Sequence, residues 1–445
     1  MARLLWLTFA VSAYLSYLPA SGHPQPAHTA DPVADWLRAR IRTLAPGGSG
    51  DASALEPLRD VLQGAQVVGL GESTHGTREF FQFKERLVRF LVTELGFNVV
   101  AIEAGLADME PLNEYIVEGT GTLSAALATQ GYIAYNNEDF VRLMAWLRAH
   151  NRRLPVERRV QVVGLDIMTN TRGRARVLDY LRAHDPRRVQ EVESVFRTLA
   201  EEQAKTPLSF SRERLNSVLP QLNALHEFLK AERTRLASTN NVAQLETLIR
   251  YTKQMVWWSG GTADDGTPVG RSRAMGFNVL EILSHRPGAK VIAWAFNSHV
   301  ARRSSGATSI GTEVSKVVGD RYYGMAFEFG QGVAQVRPPD TQGQLGPLQQ
   351  MQVPAAPFGS LPWLLSEVTA EDFFVDLRSG HTTDVKRWLE QPIPAHWVAW
   401  NQQPGKPTVA NDTVGDYDGL FFVHRASAAR PTKAAKQQAA SGGGI

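Results

Sequence analysis

The 445-residue chain contains no cysteine. That excludes disulfides, thiolate metal sites, a cysteine nucleophile and a lipidated N-terminal cysteine. A chain of this length buries a core large enough to do without staples, so the absence identifies no compartment. Charge of one sign is also scarce: 47 Lys and Arg face 44 Asp and Glu, a formal net charge of +3. The densest basic patch, Arg152, Arg153, Arg158 and Arg159, has no interleaved aromatics and reads as a solvated loop. Nucleic acid is therefore not the expected partner. Beyond the N-terminus no run is apolar enough to cross a bilayer. The N-terminus carries Arg3, a mostly apolar stretch from Leu4 to Leu18 broken by Pro19, and the small residues Ala20-Ser21-Gly22. This is the pattern of a secretory signal over residues 1–22. The mature protein is expected to be exported, periplasmic or extracellular, with no stable membrane span.

What is present is concentrated in Gln66 to Gly76. A short apolar run ends in Gly71, and Glu72 and His75 follow at once. An amphipathic run with Phe80, Phe83, Leu87, Phe90, Leu91 and Leu95 at helical spacing leads to Gly96. A second apolar run, Val99 to Ile102, then ends in Glu103. Strand, loop, helix and strand make the βαβ unit of a parallel sheet. Val160 to Leu165 ends likewise in Asp166, and Lys290 to Phe296 ends in Asn297-Ser298-His299. Any one of these groups alone would read as a helix cap or a solvated side chain. Four coincident strand ends favour a shared polar cleft at the carboxyl edge of one sheet.

The predicted fold is α/β, a mainly parallel central sheet flanked by helices. Residues 23–425 form the catalytic domain. Within it, the strandless stretch 173–276 reads as a helical insertion over the cleft edge, with Trp257-Trp258 as a lip or as ordinary core. A leader helix is expected over Val33 to Leu44 and a long loop over Gln331 to Pro362. Strands are expected at Tyr322 to Phe329, Trp397 to Trp400 and Leu420 to His424. Residues 426–445 lack periodicity and are expected to be disordered.

At these residues the chain resembles the erythromycin esterase family. The matching segments are Gly71-Glu72-Ser73-Thr74-His75-Gly76 with Glu79-Phe80-Phe81, Leu95-Gly96-Phe97 leading to Glu103, and Gly164-Leu165-Asp166. Trp294-Ala295 with Asn297-Ser298-His299, Tyr322-Tyr323-Gly324-Met325 and Asp418-Gly419-Leu420 follow in the same order. The resemblance implies an ester hydrolase, a macrolide macrolactone as substrate class, no cofactor, and roles for Glu72, His75, Glu103 and His299. It further points to Lys84, Asp166, Arg271 and Phe296 as substrate-binding residues. The chain departs from the family in having Lys84 where an arginine is common and Phe296 where a histidine is common. Ser272 replaces the aspartate in Arg271-Ser272-Arg273-Ala274-Met275-Gly276-Phe277-Asn278. The departures describe a divergent member.

Histidine is the natural general base because its ordinary pKa lies near neutrality. His75 fits, with Glu72 able to fix its tautomer, while Glu103 and His299 would polarise the acyl oxygen and hold the water. Neither Ser73 nor Ser298 lies in a Gly-x-Ser-x-Gly elbow. A second reading makes Glu72, His75, Glu103 and His299 ligands of a divalent metal in a hydrolase or protease-like enzyme. A third is a non-catalytic protein of the same fold that binds a small molecule or haem. The oligomeric state is not legible.

Overall fold

A computed structural model describes residues 31–43, 52–205, 210–236, 242–303, 308–341, 343–405 and 409–443. The expected signal over residues 1–22 lies outside them. The strands are β1 (Arg42–Thr43), β2 (Val67–Leu70), β3 (Val99–Gly105), β4 (Gln161–Asp166), β5 (Val291–Trp294) and β6 (Tyr322–Val336). They continue with β7 (Gln349–Val353), β8 (Phe373–Asp376), β9 (Pro392–His396), β10 (Val409–Thr413) and β11 (Gly419–Ala426). Nine strands form one sheet in the order β1-β8-β11-β6-β2-β5-β3-β4, with β7 paired to β6; β9 and β10 make a separate ribbon. The six strands from β11 to β4 are mutually parallel. Antiparallel pairing is confined to β1, β7, β8 and the ribbon. The fold is the mainly parallel α/β class expected.

The central strands are buried on both faces, which is why they read as unbroken apolar runs. On one face helix Arg78–Leu95 buries Phe80, Phe83, Leu87 and Leu91. It stops at Gly96, whose φ of +70° is the left-handed cap that glycine adopts without a Cβ clash. On the other face Met275 and Val279 of helix Arg271–His285 and Val314 of helix Ile310–Val318 pack on Val291 and Ala293.

The chain leaves β2 for β3 and β4, returns to place β5 between β2 and β3, and then crosses to the far side of β2 with β6. Such a reversal opens a crevice at the carboxyl ends of the strands, where open α/β sheets bind ligands. Glu72, Glu103, Asp166 and His299 follow or end four adjacent strands at that one edge.

Between β4 and β5 the described residues hold helices and no paired strand. Helices Thr171–His184, Val189–Gln203, Leu219–Arg235 and Val242–Trp258 share their own core. Trp257 and Trp258 belong to that core and do not form a lip of the cleft. Helix Arg271–His285 runs past the expected limit at 276, because its second half covers the sheet.

Four expectations are corrected. The leader helix ends at Arg38, since the chain must extend to pair β1 with β8. The expected loop over 331–362 holds the end of β6 and all of β7, in which only Met351 and Val353 alternate inward among glutamines. Trp397 to Trp400 is not a strand: β9 precedes it, and Val398 makes a single bridge to Thr74. The tail expected to be disordered contains helix Lys433–Ala440, capped by Thr432 and packed through Ala435 and Ala439 on Ile133. Its Ala, Lys and Gln residues are strong helix formers, and two alanines suffice for the contact.

Candidate active site

The turn after β2 is fixed by its backbone before any side chain acts. Ser73 N donates to Phe327 O at 3.1 Å, and Val398 N donates to Ser73 O at 2.8 Å. Gly71 lies so close to Asn297 and to the Met325 carbonyl that a Cβ would collide with both. Glu72 is thereby turned inward and is fully buried.

Three donors hold the Glu72 carboxylate. Its Oε1 meets His75 Nδ1 at 2.5 Å, while its Oε2 accepts from Lys84 Nζ at 2.5 Å and from Trp294 Nε1 at 2.9 Å. Burial opposes its ionisation, but the charges and hydrogen bonds of Lys84 and His75 outweigh burial and lower its pKa. Burial pushes the Lys84 ammonium down to about 8 against the pull of Glu72. For His75, burial acts downward, yet the bond and charge of Glu72 win and its pKa is raised.

Glu103 projects from β3. Its Oε1 accepts from Arg271 Nη2 at 2.6 Å and lies 3.3 Å from His299 Nε2; its Oε2 accepts from the Phe296 amide at 2.8 Å. Burial is again outweighed, here by His299 and Arg271, and its pKa falls well below the usual range. Asp166 takes the other side of the Arg271 fork, with Nε at 3.0 Å and Nη2 at 2.6 Å, and accepts from the Tyr132 hydroxyl. His299 sits on the short helix Asn297–Val300, where Ser272 Oγ lies 2.8 Å from its Nδ1. Asn297 anchors that helix through its amide to Glu72 O at 2.9 Å and its side chain to both backbone groups of Phe327.

Beside these groups lies a cavity of about 220 Å³. His75, Glu103, Arg271 and His299 form its polar side; Tyr132, Tyr135 and Phe296 form its aromatic side. The roof is Leu345 with Ala399, Trp400 and Asn401. Phe296 lies with its ring 5.4 Å from that of His75 and 5.3 Å from that of Trp397.

The structure thus brings His75, Glu103, Arg271, Phe296 and His299 to one cavity and leaves three expected residues behind it. Lys84 is fully buried against Glu72 and the rings of Trp294 and Phe327, so it cannot touch substrate as expected. Glu72 bonds His75 and Asp166 bonds Arg271, and neither carboxylate lines the cavity. Ser73 is likewise fully buried away from it. As metal ligands, Glu72, His75, Glu103 and His299 do not fit. Glu72 has spent both oxygens, Arg271 sits on Glu103, and no group of three or more His, Asp or Glu among the described residues is arranged to hold an ion.

Sequence reasoning missed Tyr132, Tyr135 and the whole roof. Tyr132 precedes and Tyr135 ends a single 3-10 turn, Ile133–Tyr135, which has no periodicity to betray it. Their only local signal is a pair of aromatics beside Gly131 in a polar connection. The roof belongs to segments read as a loop and a strand.

A family model described as erythromycin esterase matches residues 92–426, beginning after Glu72 and His75. Erythromycin esterase type II of Escherichia coli is 25% identical over 306 residues, which cover 60% of this chain and 70% of that protein. A Bacillus cereus protein of solved structure superposes with a TM-score of 0.71 at 22% identity, over 92% of this chain and 100% of the other. An erythromycin esterase mutant solved in its open conformation gives a TM-score of 0.65 at 17% identity, over 87% and 98%. With three quarters of its length matched by the model, the chain belongs to the erythromycin esterase family and is a hydrolase of ester bonds.

Proposed function

We propose that the protein hydrolyses an ester or lactone by direct attack of a water molecule that His75 deprotonates. The observation that carries this reading is the orientation of one imidazole. Glu72 holds His75 Nδ1, and Nε2 has no partner among the described residues on a side chain that lines the cavity. A carboxylate that fixes the tautomer and stabilises the imidazolium is the arrangement of a general base with its orienting group. Glu103 and His299, 3.3 Å apart, lie across the same cavity to hold the water.

A hydroxyl nucleophile has one observation in its favour. Ser272, His299 and Glu103 form a hydroxyl–imidazole–carboxylate chain. Ser272 does not line the cavity, however, so its oxygen has no access to an acyl carbon there.

The substrate class that family membership points to is the macrolactone. At about 220 Å³ the cavity is below the roughly 300–1,000 Å³ of ordinary ligand pockets, so such a substrate would extend beyond it. A compact ester fits within it. The reading of residues 1–22 as a signal places this reaction outside the cytoplasm, which N-terminal sequencing of the mature protein tests. The reaction itself is tested by a panel of macrolides and simple esters, with and without chelator. Turnover that survives metal removal supports water activation by His75; turnover abolished by chelator and restored by a divalent ion contradicts it.

A further inference from the structure

Tyr135 is 1% exposed, lines the cavity, and its hydroxyl has no hydrogen-bond partner among the described residues. A buried unbonded phenol costs stability, and such groups in native proteins call for a reason. The neighbouring groups explain why it is left over. Glu72 has given its oxygens to His75, Lys84 and Trp294. Glu103 has given its own to Arg271 and the Phe296 amide, and Asp166 takes the hydroxyl of Tyr132. Arg271 is itself only a donor: its Nε and Nη2 bond Asp166 and Glu103, and its Nη1 lies 3.5 Å from His299 Nε2. Tyr135 is thus a donor without an acceptor in a site otherwise rich in carboxylates.

Its position is fixed. The ring packs edge-on against His75 at 6.4 Å, Trp294 at 6.1 Å and Phe81 at 6.4 Å, and lies tilted 5.5 Å from Phe140. Burial first, and then the charges of Glu72 and Glu103, raise its pKa well above the usual value, so the phenol keeps its proton at working pH. Water attack on an ester needs a donor for the oxygen that becomes negative. A preorganised donor shielded from solvent is the most effective kind.

We propose that Tyr135 is a catalytic residue whose hydroxyl donates a hydrogen bond to the ester carbonyl oxygen as it becomes an oxyanion. The inference rests on His75 as the base. His75 Nε2 takes a proton from water, the water oxygen bonds to the acyl carbon, and the carbonyl π pair moves to the oxygen beside Tyr135. On collapse the C–O ester bond breaks and the alcohol oxygen takes the proton from His75; Tyr135 keeps its own.

The test is Tyr135→Phe beside His75→Asn and wild type on one ester. Removing a single unbonded oxygen should leave Tm unchanged or higher. It should lower kcat by about 10–10³-fold with KM within about threefold, the signature of a contact made only in the transition state. A kcat within about threefold of wild type, with His75→Asn inactive, overturns the role of Tyr135 and leaves the base standing. Loss of kcat together with a lower Tm also overturns it, because the oxygen would then be structural. Loss in Tyr135→Phe at unchanged Tm, with His75→Asn fully active, keeps the donor and rejects the base. A wild type that turns over no ester rejects both.

Discussion

Glu72 Oε1 and His75 Nδ1 are 2.5 Å apart within one turn, and the same carboxylate holds the buried Lys84 ammonium with its other oxygen. The imidazole therefore shares its counter-ion with a cation that never reaches the substrate. The first consequence is for Glu72→Gln. The amide keeps the size of the side chain, loses its charge, and can present an N–H to Nδ1, which selects the wrong tautomer. The expected loss in kcat is about 10²–10⁴-fold, with the fold intact by circular dichroism. A loss of less than about fivefold would show that the 2.5 Å contact is incidental.

The second consequence concerns pH. His75 has its pKa raised and must be neutral to act as a base, so kcat/KM should climb with pH through a midpoint above 6.5. Lys84 competes for Glu72. In Lys84→Met the full charge of Glu72 falls on His75, and the climb should move to higher pH. Stability provides an independent check. Lys84 loses its proton near pH 8 when folded but near 10.5 when unfolded, so between these values the unfolded chain binds more protons. Stability contributed by this group accordingly rises with pH from about 8 to about 10.5, and that rise should vanish in Lys84→Met. An acid limb that stays in place in the variant contradicts the shared counter-ion.

Phe296 is the third point of test. Its ring stands 5.4 Å from that of His75, where the family commonly has a second histidine. Phe296→His puts a hydrogen-bonding ring of similar size in an apolar position. If the missing imidazole limits the macrolactone reaction, macrolide turnover should rise by about tenfold or more, with simple-ester turnover little changed. Equal effects on both substrates would show that Phe296 does not set the preference.

Much of the site was legible because parallel strands buried on both faces announce themselves as apolar runs. The run Val67–Leu70 ends at Glu72, and Val99–Ile102 ends at Glu103. Their convergence on one sheet edge followed from that pattern alone. The insertion of β5 between β2 and β3 did not, since pairing order is a property of the whole sheet and leaves no local trace. Lys84 looked like a charge available to substrate; only the packing of helix Arg78–Leu95 shows it turned under the rings of Trp294 and Phe327. The roof was invisible for a different reason. Leu345 and Ala399 to Asn401 sit in irregular backbone held by distant partners, such as the Arg337 side chain on Gly346 O at 2.8 Å. Helix Lys433–Ala440 was missed because it buries two alanines and no larger apolar side chain.

The central claim is that His75 activates water and that no serine beside it attacks the substrate. It is tested most directly by measuring kcat for one ester with wild type, His75→Asn and Ser73→Ala, each checked for an unchanged Tm. The account predicts a loss of about 10²–10⁴-fold for His75→Asn, and a change of no more than about threefold for Ser73→Ala, whose hydroxyl is buried outside the cavity. Turnover abolished by Ser73→Ala and largely kept by His75→Asn would contradict it.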